Sequence, residues 1–137
     1  MDMEGEKITA SGKRKKAVAK ATISKGTGKV IINNVLHENL NFLHNLMIKE
    51  PIEIAKKVLG NFDFDINVKI NGGGHEGQID AARLALSKAL VQFTKSAELR
   101  KAFLDYDKFL LVADTRRKET YKPGDSKARA KRQKSYR

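Results

Sequence analysis

The sequence predicts an α+β domain, a small sheet packed against helices, followed by an extended basic tail. Three observations carry this. Phe62, Phe64, Ile66, Val68 and Ile70 alternate with Asp63, Asp65, Asn67, Lys69 and Asn71, the period-two mark of a strand with one buried and one wet face. Ile79, Ala82, Leu86, Ala89, Leu90 and Phe93 recur at helical spacing between Gln78 and Phe93. After Ala113 the apolar content collapses: residues 114–137 hold no Val, Ile, Leu, Met or Phe.

Taken in chain order, residues 1–11 read as a flexible arm. Residues 12–113 form the predicted α+β domain, and residues 114–137 the tail. Ala17 to Ser24 predicts a strand with Ala17, Ala19, Ala21 and Ile23 on one face. Gly26-Thr27-Gly28 signals a turn, and Lys29 to Asn33 predicts a second strand, so the two are expected to pair as a hairpin. Val35 to Lys49 reads as loop and a short helix. Pro51 suits the first turn of a helix, where its missing N–H costs nothing; Ile52, Ala55, Val58 and Leu59 supply the stripe and Gly60 the stop. Gly72-Gly73-Gly74 ends the alternating strand. Ser96 can cap a short helix presenting Leu99, Phe103 and Leu104. The apolar run Phe109 to Ala113 predicts a central buried strand.

Charge narrows the function classes. The chain has 28 Lys plus Arg against 16 Asp plus Glu, a net +12. Such a chain attracts polyanions, nucleic acid first and an anionic membrane surface second. The 24 residues from Asp114 onward contain ten basic and three acidic residues, so they hold more than half of that excess. A segment this poor in apolar groups cannot offset its ordering entropy, and it is expected to order only on a partner. The same lack of Leu, Phe and Trp argues against membrane insertion. No stretch approaches the ~18 apolar residues of a membrane span, and Met1 to Lys7 lacks the apolar core of a signal peptide.

Enzyme readings fare poorly. Gly72-Gly73-Gly74-His75-Glu76-Gly77 fits the Gly-x-Gly-x-x-Gly pattern between a strand and a helix. However, the strand before it alternates, whereas a dinucleotide fold opens on a strand buried on both faces. Two readings stay open for this loop: a tight turn needing positive φ, or free N–H groups at a helix start packed on an RNA phosphate. With no cysteine and three histidines lacking a close carboxylate pair, no metal site is expected. Asp63 and Asp65 share a solvated strand face rather than an acid–base site, and no catalytic triad can be assembled. No cofactor is expected.

The basic segments supply the candidate site. Lys13-Arg14-Lys15-Lys16 opens a strand in a highly basic chain, which points to phosphate contact. In the tail, Lys127, Arg129, Lys131, Arg132, Lys134 and Arg137 are long cations spaced by small residues. They can follow a phosphate backbone, and Tyr121 and Tyr136 offer rings for stacking.

Several separated motifs together resemble the small-subunit ribosomal protein nine family in its archaeal or eukaryotic form. These are Gly12 to Ala19, the Gly-x-Gly turn, Ile32-Asn33, Glu50-Pro51, Gly72-Gly73-Gly74, Gly77-Gln78, Ala82-Arg83 and Ala89-Leu90. Tyr106-Asp107, Leu110-Leu111-Val112, Asp114, Arg116-Arg117, Glu119 and the terminus Gln133 to Arg137 complete the set. Thr115, Asp125 and Ser87-Lys88 depart from the family pattern. The resemblance implies a domain like the second domain of small-subunit ribosomal protein five. It implies a place in the head of the cytoplasmic small subunit, with ribosomal RNA, neighbouring head proteins and the peptidyl-site tRNA as partners and no membrane. On it, Lys13, Arg14, Lys15, Lys16, Gly72, Gly73, Gly74, Gln78, Arg83, Arg116, Arg117, Lys118, Lys122, Lys127, Arg129, Lys131 and Arg132 would meet ribosomal RNA. Gln133, Lys134, Ser135, Tyr136 and Arg137 would approach the tRNA anticodon arm.

Overall fold

A computed structural model describes residues 5–124, 127–131 and 134–136. Its five strands are β1 (Ile8–Arg14), β2 (Ala17–Lys25), β3 (Val30–Ile32), β4 (Val35–Leu36) and β5 (Phe64–Asn71). Three helices accompany them: α1 (Phe42–Leu59), α2 (His75–Thr94) and α3 (Ala97–Tyr106). The strands form one mixed sheet in the order β1-β2-β5-β3-β4, with only β3 and β5 parallel.

The alternating patterns do what they predict. Ala17, Ala19, Ala21 and Ile23 of β2 and Ile66, Val68 and Ile70 of β5 are buried, all on the face that receives α2. The small side chains of β2 let α2 lie close. Closest is Gly12 of β1, where a Cβ would stand 2.6 Å from the Ala81 carbonyl oxygen and 2.8 Å from the Ala85 amide nitrogen. Gly12→Ala should therefore push β1 off the helix and cost about 1–3 kcal/mol, read as a lower denaturation midpoint; an unchanged midpoint would contradict this packing. All six residues of the predicted α2 stripe are buried. Helices α1 and α3 also pack on α2; Leu84 is buried beside Gly12 of β1, and Ser87 is buried as well. The Ser87 hydroxyl is satisfied by donating to the Arg83 carbonyl (2.8 Å).

Several expectations need correction. Ile8 to Ser11, read as part of an arm, belong to β1. The segments 17–24 and 29–33 do not pair as a hairpin: β5 lies between β2 and β3 and bonds to both. A glycine turn marks where the chain bends, but long-range pairing decides which strands adjoin. The connection is instead held by Asp65, whose carboxylate accepts from the amides of Thr27 (3.0 Å) and Lys29 (3.2 Å). Gly26 leaves room for it, since a Cβ there would lie 2.1 Å from the carboxylate and displace it.

The amide of Lys29 above all, then those of Thr27 and Gly28, holds the Asp65 carboxyl below its ordinary range against the opposing effect of burial. A lowered folded-state pKa adds stability above the ordinary carboxylate pKa, and that stability is lost as pH falls through the lowered value. Asp65→Asn should thus cost about 1 kcal/mol at neutral pH, the difference between a charge-assisted and a neutral hydrogen bond after solvent screening. The gap to the parent should close in acid. Melting curves at neutral and acid pH test this; a pH-independent gap would contradict it.

Pro51 is not in the first turn of its helix but deep inside α1, which begins at Phe42. Asn41 caps that start, its side chain accepting from the Leu43 amide (3.3 Å), and Gly60 ends the helix at φ 82°. Burial of Ile48, Pro51, Ile52 and Ala55 on one stripe outweighs the hydrogen bond that proline cannot donate. The run Phe109 to Ala113 is no strand either. Asp107 accepts from the Phe109 amide (2.9 Å) and starts a 3-10 turn over Lys108–Leu110. Only Leu110 of that run is buried, while Phe109 and Val112 are exposed. Ser96 does cap α3, accepting from the Leu99 amide (3.2 Å). Leu99 and Phe103 of α3 are buried, but Leu104 faces out. Beyond Leu110 the described residues form no helix or strand, and among them no helix is long and apolar enough to cross a membrane.

Candidate nucleic-acid interface

The β1–β2 hairpin closes on the pair Arg14 and Ala17, so Lys15 and Lys16 form the turn itself, with Lys15 left-handed at φ 53°. Lys13, Lys15 and Lys16 are exposed. The turn rests directly on the glycine loop. A Cβ on Gly72 would lie 2.6 Å from the Lys16 carbonyl oxygen, and one on Gly73 would lie 2.8 Å from the Ala17 Cβ. Both glycines have positive φ, 77° and 70°. They are turn residues needed for close backbone packing, which is one of the two readings left open for the loop.

That packing sets the basic turn against the start of α2. Gly74 is the N-cap and brings no side chain to the free N–H groups of the first turn. A helix N-terminus carries partial positive charge and suits an anion. Gln78 braces the loop by donating from Nε2 to the Gly72 carbonyl (3.1 Å). Glu76, in the same first turn, is drawn off to His44 Nε2 (3.0 Å). Three lysines with no ion partner among the described residues and a helix start with no side-chain cap therefore converge on one end of the domain, an arrangement that can grip phosphate.

The two arginines near this end have other work. Arg14 is largely buried, donates to the Arg116 carbonyl (2.9 Å) and lies 3.6 Å from Asp114 and 3.9 Å from Asp80. Asp114 in turn takes the Arg116 guanidinium at 2.8–3.1 Å. Hydrogen bonds from Arg116 hold the Asp114 carboxyl well below the usual carboxylate range, with Arg14 adding to the effect. The Asp80 carboxyl is pushed up by burial, against the pull of Arg14 and Arg83. This cluster fastens the root of the tail to the basic hairpin. Arg83 is also largely buried and joins α2 to Glu50 of α1 and to Asp107 (3.2 Å) after α3. Its guanidinium ties helices together rather than facing solvent.

Farther along, Arg117, Lys118, Lys122, Lys127, Arg129, Lys131, Lys134, Ser135 and Tyr136 are exposed. Lys118 lies over the Tyr121 ring at 4.8 Å, and Arg129 pairs with Glu119 at 2.9 Å. Arg132, Gln133 and Arg137 lie outside the described residues. Among the described residues no group of His, Asp or Glu side chains is placed to hold a metal ion. Sequence reasoning passed over four exposed lysines, Lys7, Lys20, Lys29 and Lys69, which the sheet gathers on its open side. Lys20 and Lys69 fall at the wet positions of alternating strands, but only the strand order makes them neighbours.

The family model for ribosomal protein S9/S16 matches residues 12–137. Small ribosomal subunit protein uS9 of Methanococcus vannielii is 46% identical over 129 residues, covering 92% of this chain and 95% of the relative. Its counterpart from Methanococcus maripaludis is 48% identical over the same span and coverage. The uS9 protein of Methanothrix thermoacetophila is 43% identical over 131 residues, 95% of this chain and 98% of the relative.

Proposed function

The chain belongs to the ribosomal protein S9/S16 family, and on that premise we propose that it anchors in the head of the small subunit and sends its tail to the peptidyl-site tRNA. As a member of that family it is a structural constituent of the small ribosomal subunit, not an enzyme, and its partners are ribosomal RNA and other ribosomal proteins. In the proposed arrangement the domain, similar to the second domain of small-subunit ribosomal protein five, binds RNA through its basic end. Lys13, Lys15 and Lys16 neutralise phosphates there, and the first-turn N–H groups of α2 take another. The observation that carries this reading is the packing of the Lys15–Lys16 turn on Gly72 and Gly73, which stacks side-chain charge on the helix end.

The Arg14–Asp114–Arg116 cluster then supports a division of labour. It gives the tail a fixed origin beside the RNA-facing end, from which Lys127, Arg129, Lys131, Arg132, Lys134 and Arg137 extend along phosphates. Gln133, Ser135 and Tyr136 stand among the last of these cations and would lie near the anticodon arm. Sedimentation of the tagged chain with extracts of its own cells at modest salt tests the ribosomal reading. It should travel with small-subunit particles and leave them at high salt; recovery only as free protein at modest salt would overturn it.

A further inference from the structure

The helices occupy one face of the sheet, and the other face is bare. Its centre is a cross-strand pair of like charges: Lys20 of β2 stands directly opposite Lys69 of β5, both exposed. Residues so paired have Cβ atoms roughly 5 Å apart, and like charges there repel. Lys7 and Lys29 line the same shallow groove of ≈ 400 Å³. Among the described residues none of these four lysines lies within ion-pair distance of a carboxylate. Among the described residues Asp65 is the one acid lining the groove, and its carboxylate is already engaged by the Thr27 and Lys29 amides. Between the lysines are hydroxyls, with Thr9 and Thr22 hydrogen-bonded across β1 and β2 at 3.3 Å.

We propose that this open sheet face, centred on Lys20 and Lys69, is a second RNA-contact surface that takes the phosphate backbone of duplex RNA. The inference rests on the ribosomal reading above and adds a surface to it. An opposed lysine pair with no acid partner gains from a phosphate seated between the two ammonium groups. The type of RNA follows from what the groove lacks. Sheets that read single strands stack bases on aromatic rings, and among the described residues no Phe, Tyr or His lines this groove. Lysines, threonines and Asn67 instead suit the phosphates and 2′-hydroxyls of a duplex, read by shape.

The test compares the full-length chain with Lys20→Thr/Lys69→Thr, threonine being a good strand residue. Since one like-charge contact is removed, the melting midpoint should stay or rise. Affinity for a plain RNA duplex should fall about tenfold, and the slope of log affinity against log salt should flatten by about 2. Binding to polyuridylate should change less than about twofold, because the tail and hairpin remain. Lys20→Arg/Lys69→Arg should restore duplex affinity. In the parent, naked small-subunit ribosomal RNA should shield Lys20 and Lys69 from acylation. Unchanged duplex affinity and slope in the threonine variant would overturn the proposal while leaving the ribosomal reading intact. Shielding that needs other ribosomal proteins would overturn it in favour of a protein contact. Failure of the parent to bind the ribosomal RNA at all would remove both.

Discussion

Removing residues 127–137 should leave a folded domain whose RNA affinity is lower and far less sensitive to salt. Among the described residues the contiguous hydrophobic core ends at Leu110, and the one buried residue of the deleted segment, Ala128, lies outside it and carries only a methyl group. The deletion removes the Arg129–Glu119 pair, which is exposed and contributes little. The melting midpoint should therefore move only slightly. Six cations go with the segment. On single-stranded RNA each neutralised phosphate contributes roughly 0.7 to the slope of log affinity against log salt, so the slope should flatten by up to about 4. In reconstituted subunits the same deletion should weaken peptidyl-site tRNA binding more than it impairs assembly. Unfolding of the truncated chain, or tRNA binding with unchanged affinity and salt slope, would give the tail a structural role instead.

The second large effect belongs to the hairpin turn. Lys13→Glu/Lys15→Glu/Lys16→Glu should reduce affinity for small-subunit ribosomal RNA by about a hundredfold near 0.1 M salt. Three phosphate contacts are lost and carboxylates now face the RNA. None of the three side chains is buried or ion-paired among the described residues, so circular dichroism and melting should change little. Arg14→Ala is a useful contrast. It removes one cation beside Asp80 and Asp114 and the bond to the Arg116 carbonyl, and should act on stability and on the set of the tail root. A triple variant that binds ribosomal RNA as tightly as the parent would exclude the turn from the interface.

Much of this architecture was legible because local pattern and burial agree. The faces of β2, β5 and α2 follow from periods of 2 and 3.6, and the Ser96 cap from one hydroxyl before an amphipathic run. What escaped depends on partners distant in sequence. Nothing in Ala17 to Asn33 says that β5 will enter between β2 and β3. Pro51 looks like a helix start until the burial of Ile48 before it is known. The run after Lys108 has the composition of a core strand, yet Asp107 turns it and only Leu110 docks.

The site divided in the same way. The exposed lysines of the hairpin were recognisable from charge alone. The basic run points to Arg14 as an RNA contact and the family resemblance points to Arg83, but acids from other parts of the chain engage both guanidinium groups. Gly72 and Gly73 were recognisable as glycines with a purpose. That their purpose is contact with the Lys16–Ala17 backbone is a tertiary fact.

The central claim is that the chain holds ribosomal RNA chiefly through phosphate, from the Lys13–Lys16 turn and the tail together. The most direct measurement is the affinity of the full-length protein for naked small-subunit ribosomal RNA across a salt series. The account predicts a linear fall of log affinity with log salt and a slope of about −5 or steeper, since at least six phosphates are neutralised. A slope near zero would contradict it, because binding would then rest on contacts other than the charges described here.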